Sequence, residues 1–367
     1  MPKMAGRSNN TGVFWLDRLK KLRKQLLEQG LDGILILEPD NRRYLSGFSG
    51  SSGALLITSS EALLFTDFRY MEQAAAQAPS FRVIKHGQVI WDDLAGYARG
   101  LANLAFEQNF VTYEQFRLLQ EKFTESRLVP VAGFVENLRS IKEDVELAEI
   151  RRACELADRA FSHILTWLEP GMTELEIALE LEFFMRRNGA SASAFEFIVA
   201  SGPRSSLPHG VASGRRAARG DILTMDFGCV VNGYCSDITR TVVIGEASDK
   251  QREIYRVVLE AQMAALSALR AGMSGQEVDK VAREIISRSG YGENFGHGLG
   301  HSVGLAVHEE PRLSPAGLRV LEPGMVVTVE PGIYLPDWGG VRIEDMVVVT
   351  ENGCSLLTKS PKELIIL

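Results

Sequence analysis

The chain has 367 residues but only four cysteines, Cys154, Cys229, Cys235 and Cys354. None is spaced as C-x-x-C, so neither a disulfide framework nor a thiolate zinc site is indicated. Free thiols suit a reducing compartment, and the cytoplasm is the expected location. No apolar run is long enough to cross a bilayer, and no apolar stretch of signal-peptide type follows the basic opening MPKMAGRSNNTG. An excess of positive charge is also missing. With 40 Lys and Arg against 47 Asp and Glu, the net charge of −7 argues against nucleic acid or an anionic membrane as partner. Histidine is scarce, at six residues. Two of these, His86 and His163, sit in no recognisable motif and are read as structural. The remaining four are His209, His297, His301 and His308.

What is present is enough apolar material, 45% of residues, for more than one core, and the length suggests two domains. Residues 1–13 read as a loose leader. From Phe14 an amphipathic helix runs to about Gly30, followed by short strands at 33–37, 54–58, 62–66 and 81–85. Helical patterns lie between them at 70–78 and from about Trp91 to Ala105. This gives an α/β domain over 14–135 and a larger one over 136–367. The larger one opens with two helical patterns, 143–168 and 173–188, and the arrangement then returns. Gly171-Met172-Thr173 recurs as Gly272-Met273-Ser274, Glu176 as Glu277, Arg187 as Arg288 and Gly189 as Gly290. Such a single recurrence points to a duplicated unit whose two halves close over one cleft, rather than to a solenoid.

The chemistry centres on DFGCVVNGYCSD, Asp226 to Asp237. Asn232-Gly233 between two β-rich flanks is a strong hairpin signal, because a type I′ turn needs positive φ at both central positions. Counting outward, Val231 faces Tyr234 and Gly228 faces Asp237. Asp226 and Asp237 thereby become diagonal neighbours on one sheet face, with Cα atoms roughly 7–8 Å apart. Two carboxylates there repel unless a cation lies between them. Downstream, GHGLGH, VHEE, VTVEPG and VRIED offer His297, His301, His308, Glu330, Arg342 and Glu344. Four carboxylates (Asp226, Asp237, Glu330, Glu344) with one imidazole make a hard, oxygen-rich donor set, suited to Mn, Co, Fe or Zn and to two divalent ions.

These motifs carry a resemblance. LPHG (207–210), DFG…SD (226–237), GHGLGHSVGLAVHE (296–309), EPGMVVTVEPGIY (322–334) and GGVRIED (339–345) resemble the pita-bread metallopeptidases. That family includes aminopeptidase P, prolidase, methionine aminopeptidase and creatinase. The N-terminal domain is similar to the accessory domain of the aminopeptidase P, prolidase and creatinase branch. The resemblance implies an α+β fold. In it, a pseudo-twofold duplicated catalytic domain, an antiparallel sheet with helices outside, joins a smaller α/β domain. It also implies a homodimer and two metal ions, Mn first among the candidates. By the same resemblance, Asp226 chelates one ion, Asp237 and Glu344 bridge both, and His301 and Glu330 hold the second. Glu330 doubles as proton shuttle. His209 and His308 contact the substrate and stabilise the tetrahedral intermediate. His297 either lines the site or supports the backbone, and Arg342, two residues before Glu344 and so on the same strand face, is expected to hydrogen-bond a ligand carboxylate or the substrate.

The expected activity is an Xaa-Pro exopeptidase acting on short peptides with proline at the second position. Aminopeptidase P is the favoured reading and prolidase, an Xaa-Pro dipeptidase, the alternative. Arg312 decides between them: a clamp on a dipeptide's C-terminal carboxylate would favour prolidase, an exposed loop arginine the aminopeptidase. Creatinase, which works without metal, and a non-catalytic peptide-binding module are disfavoured, because all five ligand positions are intact.

Overall fold

A computed structural model describes residues 11–367, in which the chain divides into two compact units between Arg139 and Ser140. Most of the expected leader, residues 1–10, lies outside the described residues, and the first helix is Thr11–Glu28. In the N-terminal unit six strands form one mixed sheet in the order Arg82–Lys85, Ala62–Thr66, Ala54–Thr58, Gly33–Ile36, Asn103–Glu107, Arg127–Val131. The helical reading of 91–105 needs correction. The helix Ile90–Tyr97 stops before Gly100, which takes φ +84°, and Asn103–Glu107 is a strand parallel to Gly33–Ile36. Leu104, Ala105 and Phe106 are all buried. A strand covered on both faces reads as a continuous apolar run without a period of two, and so mimics a buried helix.

The second unit is built twice from the same parts. Helices Asp144–Trp167 and Glu174–Arg187 precede strands Ile198–Ser201, Ile222–Phe227 and Ile238–Val243. Helices Asp249–Ala268 and Gly275–Arg288 precede strands Gly300–Ser302, Val326–Val329 and Asp345–Thr350. Capping boxes Thr173/Glu176 and Ser274/Glu277 start the second helix of each half. Backbone bonds recur with them. Gly171 N–H to Ala217 O and Leu175 N–H to Ser213 O return as Gly272 N–H to Leu321 O and Gln276 N–H to Gly317 O. In the first half Phe161, Ile177 and Leu181 pack on Leu223, Met225 and Phe227. In the second, Val258, Val278 and Ala282 pack on Val327, Val329 and Val347. The helices therefore cover one face of each sheet, which leaves the other face to carry polar residues. The fold is α+β.

The hairpin has the expected register. Val231 pairs with Tyr234, and further down Phe227 pairs with Ile238 and Asp226 with Thr239. Asn232 and Gly233 take φ of 49° and 87°, as a type I′ turn requires. At Gly228 a Cβ would stand 1.9 Å from Ser236 O, so the two strands approach there more closely than any side chain permits. Among the described residues no helix is long and apolar enough to cross a membrane.

Candidate metal centre

Each half delivers two carboxylates to one cavity of about 520 Å³, Asp226 and Asp237 from the first and Glu330 and Glu344 from the second. His209, His297, His301, His308, Arg312 and Arg342 line the same cavity, so every residue singled out in the sequence is brought together. Asp237, His301 and Glu344 each present a ligand atom within 4.8 Å of the others, and all three are buried. His301 Nε2 lies 3.4 Å from Glu330 Oε1 and 3.6 Å from Asp237 Oδ2. Its Nδ1 is 3.1 Å from Ser302 O. A carbonyl only accepts, so Nδ1 carries the proton and Nε2 turns its lone pair into the carboxylates.

That arrangement is unfavourable on its own. Burial, then repulsion from Glu344, raises the Asp237 carboxyl well above its ordinary range, and burial followed by Glu330 does the same to Glu344. Burial pushes Glu330 up to about 7 and His301 down to about 3. Asp226 Oδ1 is buried and has no hydrogen-bond partner among the described residues. A lone pair aimed at carboxylates, oxygens crowded in a low-dielectric site and an orphaned carboxylate oxygen are all resolved by divalent cations. The residues present fit that group.

The candidate ligands are held by neighbours that sequence motifs do not reveal. Thr239 Oγ1 donates to Glu344 Oε2 (2.7 Å) and accepts from Arg342 Nε (3.0 Å). Thr328 Oγ1 donates to Glu330 Oε1 (3.0 Å) and accepts from the His301 N–H (3.0 Å). The Met346 thioether accepts the Asp237 N–H at 3.1 Å. Fully buried Arg240 donates to Glu344 O and pairs with Asp345 at 2.7 Å. Both threonines sit two residues from a candidate ligand in sequence (Asp237, Glu330), and same-face parity along a strand could have pointed to them.

Arg342 and His297 belong to one chain of hydrogen bonds. Arg342 Nη2 donates to Asp226 Oδ2 (2.6 Å) and Nη1 to the Tyr334 hydroxyl (2.7 Å). His297 Nδ1 lies 2.8 Å from Gly298 O and therefore carries the proton, so Nε2 accepts from Tyr334 OH at 2.9 Å. Burial, and then the charge of Arg342, lowers His297 to about 4, consistent with a neutral ring. Both nitrogens are engaged, and neither is left for a substrate. His297 and Tyr334 instead orient Arg342, and through it Asp226. Tyr334→Phe removes the middle of this chain at little cost in packing. The expected result is a loss of about 10–100-fold in metal affinity or kcat with an unchanged fold, read by metal titration and kinetics.

The donor set, the side chains that hold it and the duplicated frame together mark a family. The model of metallopeptidase family M24 matches residues 148–351, and that of the creatinase/prolidase N-terminal domain matches 18–141. The chain belongs to metallopeptidase family M24. It is 42% identical over 350 residues to the Xaa-Pro dipeptidase of Pyrococcus furiosus, covering 95% of this chain and 99% of that one. Among solved structures, the Xaa-Pro dipeptidase from Bacillus anthracis superposes with a TM-score of 0.94 at 48% identity, over 96% of this chain and all of that one (100%). The X-Pro aminopeptidase from Thermotoga maritima gives 0.90 at 41% identity, covering 96% and 100%. This M24 chain is thus an enzyme of the pita-bread fold, in the branch with a creatinase/prolidase N-terminal domain, and its family implies divalent metal.

Proposed function

We propose that the protein is an Xaa-Pro dipeptidase, the alternative rather than the first reading of its sequence. The observation that carries this is the position of Arg312. In the antiparallel pair of Gly300–Ser302 with Glu309–Leu313, Arg312 stands directly opposite His301. Directly opposed residues project to the same sheet face, so the guanidinium is set beside the candidate ligand and lines the cavity. Its hold on Glu310 is loose and exposed, at 3.8 Å, which leaves it available to a substrate carboxylate. The names of the three relatives given above lean the same way, two being dipeptidases, in Pyrococcus furiosus and Bacillus anthracis, and one an aminopeptidase, in Thermotoga maritima.

In this reading Asp226, Asp237, His301, Glu330 and Glu344 hold two divalent ions, with manganese the first candidate. When bound, such a pair acidifies water and polarises the scissile carbonyl. The chain's own residues do the rest. Arg312 fixes the C-terminal carboxylate and so excludes longer peptides. His209 and His308 face the carbonyl oxygen as it gains charge. The nitrogen of an Xaa-Pro bond has no hydrogen and leaves only after gaining a proton, which Glu330 carries to it. A homodimer in the cytoplasm remains part of the proposal.

The test is Arg312→Gln assayed on Ala-Pro and on Ala-Pro amide. The variant should raise KM for Ala-Pro by about 10–100-fold, as expected for loss of a charge-assisted contact of 1.5–3 kcal/mol. The uncharged amide should be a poor substrate for the parent and no worse for the variant. Equal KM for both substrates in the parent would rule out the clamp.

A further inference from the structure

The loop that carries His209 is tied down from outside the cavity. Glu174 is the first residue of the helix Glu174–Arg187, and its side chain is fully buried. Five donors converge on its carboxylate. Oε1 accepts from the Ser201 N–H (2.7 Å) and Ser201 Oγ (2.8 Å). Oε2 accepts from the Ser213 N–H (3.1 Å), Ser213 Oγ (2.6 Å) and Arg204 Nη1. Ser201 and Ser213 bracket the segment 201–213, with His209 between them. Arg204 extends the tie inward, since its Nη2 donates to Val211 O at 2.9 Å, while the Val211 N–H bonds His209 O at 2.9 Å. One buried carboxylate therefore bonds both ends of the loop and reaches, through Arg204, the backbone at Val211, two residues past the histidine.

The other half of the duplication works differently. The position matching Glu174 is Gly275, where a Cβ would lie 2.0 Å from Arg312 O. Backbone packs directly on the Arg312 strand there, and no side chain has room. In the first half that position carries Glu174, whose carboxylate adds side-chain bonds to the loop beside the backbone ones.

We infer that Glu174 is a positioning residue for His209, which it places for catalysis without touching substrate. This rests on the reading that His209 acts in the cavity. Glu174→Gln is the direct probe. An amide turned towards Ser213 N–H and Arg204 would set donors against a donor, so that end of the tie opens while the shape is kept. Arg204→Gln, at a half-exposed residue, removes the ion pair with Glu174 and the link to Val211 but leaves the serine bonds to Glu174 in place, and serves if the first variant fails to fold.

Two readouts decide. On Ala-Pro, Glu174→Gln should lower kcat by about 10–100-fold with KM within about 3-fold, as for a misplaced catalytic group. In a His209→Ala background it should cost less than about 2-fold, the non-additivity expected of residues acting as a unit. In protein labelled only at histidine, the His209 resonance should move in both single variants while His86 and His163 stay fixed. Equal kinetic cost with and without His209, or an unmoved His209 resonance, would overturn the inference. If His209→Ala itself has parent-like kinetics, the role given to His209 falls, and the resonance alone reports whether Glu174 holds the ring.

Discussion

Asp237→Asn should make the metal-free protein more stable and the enzyme inert. Asp237 and Glu344 have folded-state pKa values raised by burial first, and then by neighbouring carboxylates, Glu344 acting on Asp237 and Glu330 on Glu344. A raised carboxyl pKa means that the folded chain binds protons more tightly than the unfolded chain. The stability these groups contribute is present below ordinary carboxylate pKa values and is lost as pH rises towards the folded ones. At mildly alkaline pH the empty centre is therefore under electrostatic strain. Removing one charge should relieve it by about 1–2 kcal/mol, the size of a typical stability–activity trade-off. The same change deletes a proposed metal ligand, and turnover should fall by at least about 10³-fold. Denaturant melts of apo parent and variant, beside metal stoichiometry and kcat, check both halves. A variant that is destabilised when metal-free, or that keeps normal turnover, contradicts this picture of the centre.

Arg342→Met has the opposite signature. Among the described residues the guanidinium is the cation hydrogen-bonded to Asp226, and it also reaches Tyr334 and Thr239. Its side chain is 4% exposed and that of Asp226 is 12% exposed. Removing one partner of a buried pair leaves the other uncompensated, at a cost of about 3–5 kcal/mol. Metal-free protein should lose that much. Saturating metal should restore part of it, because an ion that binds only the folded state stabilises it by mass action and also supplies Asp226 with a counter-charge. Thermal melts with and without added manganese read both effects. An equal loss with and without metal would mean that Arg342 supports the fold and not the centre.

The hairpin was legible because Asn-Gly specifies its turn, and turn plus parity places Asp226 beside Asp237 without any tertiary knowledge. The duplication was legible because helix starts have short signatures, Thr173/Glu176 and Ser274/Glu277, which survive where the rest diverges. The strand 103–107 was not, because a fully buried strand and a buried helix share one apolar run. Side-chain ties formed over long stretches of chain were equally invisible. Glu174 binds Ser213, and Arg240 binds Asp345 across more than a hundred positions, with nothing local to announce either. His297 shows the same limit within a recognised motif, since its engagement with Tyr334 depends on how two strands lie together in space. The side chosen for Arg312 came from pairing register, which no single strand displays.

The most direct test of the central claim is hydrolysis of Ala-Pro beside Ala-Pro-Ala, by protein loaded with manganese and by the same protein after chelation. A metal-dependent Xaa-Pro dipeptidase cleaves the dipeptide, spares the tripeptide and loses activity with its metal. Preference for the tripeptide would mean an open cleft and an aminopeptidase, and undiminished cleavage after chelation would contradict the metal centre itself.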